Sequence, residues 1–73
     1  MIEIRLFATF RIGRDKILYM DSRSHQNIQQ VLDDLQIDAR DVSILLINGI
    51  HSKPESAIKD GDVVSLFPPV GGG

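Results

Sequence analysis

No cysteine occurs anywhere in the 73 residues. That absence excludes a disulfide framework, a thiolate metal site, an iron–sulfur cluster and a cysteine nucleophile together, and it makes the cytoplasm the expected compartment. Long apolar runs are missing too. The first apolar positions alternate with charged ones, so neither a signal peptide nor a membrane span is expected. Nor is there an excess of one charge. Eight Lys and Arg against ten Asp and Glu leave a formal net charge of −2, with the cations scattered, which offers no electrostatic footprint for nucleic acid. What remains, 42% hydrophobic and 25% charged, is the composition of an ordinary globular domain. The expectation is one domain over residues 1–73, near the size at which a single core is only marginally sufficient.

The apolar periodicity changes along the chain. Ile2, Ile4 and Leu6 alternate with Glu3, Arg5 and Phe7, the period-2 pattern of a strand with one buried face. The Gly13 and Asp15 segment suits a reversal, and Ile17-Leu18-Tyr19-Met20 reads as the second arm of a hairpin. Asn27 with Gln30 three positions on forms a capping-box pattern, and Ile28, Val31, Leu32 and Leu35 follow at helical spacing. Asp38 to Asp41 is a polar connection. Ile44-Leu45-Leu46-Ile47 is a continuous apolar run, as in a strand covered on much of both faces. Asn48-Gly49 marks a tight turn, and a short edge strand is expected between Ile50 and Ser56, where Pro54 limits its pairing. Ala57-Ile58-Lys59 is expected to form a single turn, Asp60-Gly61-Asp62 another, and Val63 to Phe67 the last strand, stopped by Pro68-Pro69.

The order strand, strand, helix, strand, short strand, strand fits a mixed sheet of four to five strands packed on one main helix, with the first and last strands parallel neighbours. This is an α+β, β-grasp (ubiquitin-like) arrangement. Its expected core is Ile2, Ile4, Leu6, Ile17, Val31, Leu32, Leu35, Leu45, Ile47, Ile58, Val64 and Leu66.

The ending is the most informative segment. Pro68-Pro69-Val70 leads into Gly71-Gly72-Gly73, and residues 68–73 read as an extended, flexible C-terminal tail. Glycine lacks a Cβ, so such a tail can enter a tunnel closed to other residues, with the Gly73 α-carboxylate as the natural reacting group. The prolines favour a semi-rigid stem and the glycines add freedom beyond it. From Pro69 to Gly73 the reach is at most about 13 to 14 Å at roughly 3.3 to 3.6 Å per residue.

Arg5-Leu6-Phe7-Ala8, Ile47-Asn48-Gly49, Ile58 to Val64 and the closing Phe67-Pro68-Pro69-Val70-Gly71-Gly72-Gly73 together resemble the ThiS/MoaD family of sulfur carriers over the whole chain. The Phe-Pro-Pro-Val ending is closer to the small subunit of molybdopterin synthase than to the thiamine-pathway carriers. The resemblance implies a non-catalytic carrier that binds no cofactor itself. A MoeB/ThiF-like adenylating enzyme activates the terminal glycine with ATP and magnesium, a sulfur donor system converts it to a thiocarboxylate, and an acceptor such as the molybdopterin synthase large subunit receives the sulfur. The reacting group is then the C-terminus of Gly73, and Gly71 and Gly72 form its flexible lead.

Docking needs a surface as well as a tail. If Leu6 and Leu66 point inward, Phe7 and Phe67 lie together on the other face where the first and last strands pair. With Pro68, Pro69 and Val70 they form the expected partner-binding patch. In relatives a third apolar residue usually extends it, and here that position falls on His51. His25 and His51 show no partner spacing that marks a site, so both are expected at the surface, and Asp33 and Asp34 are expected on a solvated helix face. No metal ligand set is assigned. Two other uses of the same ending stay open. One is a carrier feeding thiamine or tRNA thiolation. The other is a ubiquitin-like modifier that forms an isopeptide bond with a lysine of another protein.

Overall fold

A computed structural model describes residues 1–69 of the chain, and the expectations on Val70, Gly71, Gly72 and Gly73 lie outside the described residues. Five strands form one sheet: β1 (Ile2–Leu6), β2 (Ile17–Met20), β3 (Ile44–Ile47), β4 (Ile50–His51) and β5 (Val63–Phe67), in the spatial order β2-β1-β5-β3-β4. The β1 and β5 strands run parallel, and the other pairs are antiparallel. A single α-helix, α1 (Ile28–Leu35), and 3₁₀ turns over Ala8–Arg11 and Ala39–Asp41 complete the described elements. This is the β-grasp arrangement expected from the order of elements.

Alternation in β1 sends Ile2, Ile4 and Leu6 inward, where all three are fully buried beside Val64 and Leu66 of β5. The apolar stripe of α1, Ile28, Val31 and Leu32, closes over them. Each such side chain contributes about 1.5–3 kcal/mol on leaving water. Asn27 caps α1, its side chain accepting from the Gln30 N–H at 2.9 Å. The Gln30 side chain reaches back to the Gln26 N–H, one residue earlier than a capping box requires. At the other end Gln36 takes a left-handed conformation (φ 58°) and its N–H returns to the Leu32 and Asp33 carbonyls.

The turns behave as their residues dictate. Asn48 (φ 52°) and Gly49 (φ 80°) make the two-residue link between β3 and β4. Asp62, only 5% exposed, accepts from the Asn48 Nδ2 and from the Lys59 N–H, both at 2.9 Å, while the Asn48 Oδ1 accepts from the Val63 N–H. This clasp fixes the entry into β5.

The structure corrects the expected core in β2. Ile17 lies opposite Arg5 and faces out, 41% exposed, whereas Leu18 lies opposite Ile4 and packs inward with Met20. Four consecutive apolar residues hid the alternation, which only the pairing with β1 resolves. Phe10, Ile28 and Ile37 join the core, and Leu35 and Ile47 pack against it half-buried. The β3 strand is not covered on both faces: Leu45 is buried, but Ile44 is 39% exposed. Residues 57–59 do not form a turn either. Ala57 bridges Asn27, and the Ile58 N–H donates to the Gln26 carbonyl, while the chain reverses at Asp60-Gly61 (φ 89°), as the Asp-Gly-Asp segment predicts.

Candidate functional site

Leu6 and Leu66 are register partners in the parallel β1–β5 pair, so the next residue of each strand is carried to the same end of the sheet. Phe7 and Phe67 stack there, ring centroids 4.1 Å apart and planes within 10°. Backbone bonds hold the two together: the Phe7 N–H donates to the Leu66 carbonyl, and the Phe67 carbonyl accepts from the Ser43 N–H at 2.8 Å. The Arg11 guanidinium lies over the free side of Phe7, 5.3 Å from its centroid, and its Nε donates to the Leu6 carbonyl at 2.7 Å. The stack is thus fastened by strand register and capped by a cation.

Pro68, half-buried, and Pro69, exposed, leave the sheet directly after Phe67. Beside them runs an apolar groove of about 290 Å³ whose walls include Ala8, Ile44, Phe67, Pro68 and Pro69. Phe7, Phe67, Pro68 and Pro69 therefore converge on one end of the sheet, at the root of the segment that continues to Gly73.

Two contributors to this end were absent from the sequence reading. Ile44 is the register partner of Phe67 and continues the apolar surface beside the stack. The antiparallel pairing of β3 with β5 is the signal that finds it. Arg11 sits four residues past Phe7, and the 3₁₀ turn over Ala8–Arg11 brings it back over the ring. His51 is exposed, as expected, and pairs with Leu46 on the face that carries the stack, where the sequence placed it.

His25 is a correction. It was expected at the surface and is 7% exposed. Its Nδ1 lies 2.9 Å from the Asp21 carbonyl, and its Nε2 bonds the Asp34 carboxylate. Both partners are acceptors, so both are satisfied only when both ring nitrogens carry protons. Burial by itself lowers the basicity of the ring, but the Asp21 carbonyl and the Asp34 carboxylate outweigh it and raise the His25 pKa above the ordinary 6.5. Asp34, read as a solvated helix residue, is exposed but holds this clamp. The clamp ties the β2–α1 connection to α1 and lies on the helix side of the sheet, away from the aromatic stack.

A mixed five-stranded sheet on one helix is the ubiquitin-like β-grasp fold, and the family and relatives it matches make the chain a ThiS/MoaD-like small modifier or sulfur carrier. The ThiS family model matches residues 4–73, and the chain belongs to the ThiS family. It is 31% identical to small archaeal modifier protein 3 of Haloferax volcanii, an alignment covering 99% of this chain and 98% of that one. The crystal structure of SAMP1 from the same organism superposes with a TM-score of 0.76 at 26% identity, covering 99% of this chain and 98% of the other. A complex of subunits 1 and 2 of the molybdopterin-converting factor from Helicobacter pylori contains a chain with the same fold (TM-score 0.67, 24% identity, 99% and 97% covered). Among the described residues no helix is long and apolar enough to cross a membrane.

Proposed function

We propose that the chain is a sulfur carrier whose Gly73 carboxylate is activated as an acyl adenylate and converted to a thiocarboxylate, which supplies the dithiolene sulfurs of molybdopterin. The observation that carries this reading is the Phe7–Phe67 stack standing at the root of a Pro-Pro-Val-Gly-Gly-Gly ending. A rigid aromatic platform grips a partner while a narrow peptide reaches past it. The chemistry requires a second protein, because a free carboxylate is a poor electrophile. A carboxylate oxygen of Gly73 attacks the α-phosphorus of ATP and pyrophosphate leaves. Hydrosulfide delivered by the donor system then attacks the acyl carbon, AMP leaves and the S–H proton is lost to water, which yields the thiocarboxylate. The resulting sulfur nucleophile is tethered, and it is presented to the acceptor in a pocket shielded from water. The carrier's own residues bind and position. Activation falls to a MoeB/ThiF-like enzyme using ATP and magnesium, and acceptance to a molybdopterin synthase large subunit. Ordering each tail residue costs on the order of 1–2 kcal/mol, which moderates affinity and eases release between partners.

The test is the intact mass of the chain after incubation with its adenylating enzyme, ATP, magnesium and a sulfur donor, beside a form lacking Gly73. A gain matching oxygen replaced by sulfur, in the full chain only, is expected. No gain, with the enzyme active on another carrier, would overturn the reading.

A second reading has its own observation. The similarity to a small archaeal modifier protein spans nearly both chains, and the same activated Gly73 can be taken by a lysine amine instead of sulfur. Heavier, lysine-linked forms in cell extracts, lost on deletion of Gly73, would favour conjugation.

A further inference from the structure

Around the outer side of the stack the charge of the molecule is inverted. The chain is net negative, yet a cavity of about 250 Å³ beside Phe7 is lined by Arg5, Arg11 and Lys16 together with Leu6, Phe7 and Ile17, and by no acid. Three of the eight Lys and Arg thus face one small apolar hollow. The other arginines are engaged elsewhere: Arg23 and Arg40 pair with Asp21 and Asp38, and Arg14 donates to the Phe10 and Leu35 carbonyls. Arg5 also pairs with Glu3, which lies outside the hollow's lining, and Arg11 is held by the Leu6 carbonyl, but the Lys16 ammonium forms no ion pair among the described residues. Ile17 sits opposite Arg5 on the same face and is 41% exposed. The hollow therefore offers an apolar floor with a cationic rim, at the end of the sheet where the tail departs.

We propose that this corner docks a carboxylate-bearing, partly apolar loop of the enzyme that activates the tail, one acidic side chain seating between Arg5 and Lys16 while an aliphatic neighbour rests on Phe7 and Ile17. The inference rests on the carrier reading above and gives its first partner a chemical character. Any protein that draws the tail into its active site must lie over the tail's root, and the hollow adjoins that root. Cations at a rim act chiefly by steering encounter, so they speed association more than they slow release. Two exposed ion pairs at about 0.2–1 kcal/mol each correspond to roughly a two- to thirtyfold change in affinity.

The experiment measures Kd and association rate between the full chain and its adenylating enzyme by surface plasmon resonance, at about 0.05 and 0.5 M salt, which span the range from weak to strong screening. The double variant Arg5→Gln/Lys16→Gln is compared with Lys53→Gln/Lys59→Gln. The second variant removes the same charge from positions beyond the opposite edge strand and at the turn before β5. The expected result is association slowed at least threefold at low salt by the first variant only, with its salt dependence flattened. Equal effects of the two variants would reduce the corner to net charge and overturn the inference, as would no effect of either. Wild-type binding that depends on Arg5 and Lys16 without any adenylation would keep the docking corner and sink the carrier reading. No binding by the wild-type chain would sink the docking proposal. Self-association of the free chain in sedimentation, lost in the first variant, would assign the corner to a second copy and overturn the proposed occupant.

Discussion

The two faces of the sheet use the same five strands and obey different rules. One face, Ile2, Ile4, Leu6, Val64 and Leu66, is sealed beneath α1 and fully buried. The other carries Arg5, Ile17, Tyr19, Phe67 and Ile44, with Tyr19 61% exposed and Phe7 and Phe67 stacked and half-buried. Adjacent residues of one strand therefore lie in opposite settings, Leu66 sealed in the core and Phe67 on the face proposed above to meet a partner. A buried side chain is constrained by volume on every side, whereas an open one is constrained only by what comes to meet it.

The sharpest way to break that contrast is at Leu66 and Phe67. Leu66→Ala is expected to cost about 2–5 kcal/mol, a large share of the roughly 4–11 kcal/mol available to a 73-residue domain, read as a lower denaturation midpoint at unchanged slope. Phe67→Ala forfeits an aromatic pair worth about 0.5–1.5 kcal/mol, yet binding to the adenylating enzyme should weaken by about thirtyfold, the mark of a contact hot spot. If both variants lose stability equally, the stack belongs to the fold and not to a partner.

A smaller test uses β2. Leu18→Ser, on the inner face, should cost about 1–2 kcal/mol, and Ile17→Ser less than about 0.5. Equal costs would mean that the register pairing Arg5 with Ile17 is wrong. On the helix side, His25 makes stability depend on pH. Its folded-state pKa is raised, so its contribution is fully present below the unfolded value of about 6.5 and is lost as pH rises through the folded pKa. Denaturation at about pH 6 and pH 8.5 should show this fall in wild type and a flatter profile in His25→Gln. The smallest effect concerns Gln36. Its left-handed backbone suits glycine, so Gln36→Gly is expected to raise stability by up to about 1 kcal/mol in the same assay, leaving the open face unaltered.

Much of this was legible in the residues because local signals agree. The alternation of β1, the Asn27 cap, Asn48-Gly49 and Asp60-Gly61 each specify backbone geometry within a few positions. The facing of Ile17 was not legible, since it depends on the pairing with β1. The inward turn of Phe10 depends on a 3₁₀ turn with no strong local mark. His25 looked idle because its two partners lie four residues before it and nine after, one of them a backbone carbonyl that no side-chain pattern reveals. Of the candidate site, the Phe7–Phe67 meeting followed from alternation plus a parallel neighbour. Ile44 and Arg11 needed the tertiary structure.

The stack joins a residue of the first strand's exit to one sixty positions later. It exists only once β1 and β5 have found each other across the whole intervening chain, which is among the slowest contacts for a protein this small to make. On the proposed function, a partner that grips the two rings would inspect the protein's fold before using it. A chain in which β1 and β5 are not paired does not present the stacked rings. Proofreading of this kind would need no additional domain, because the paired rings exist only in the folded sheet.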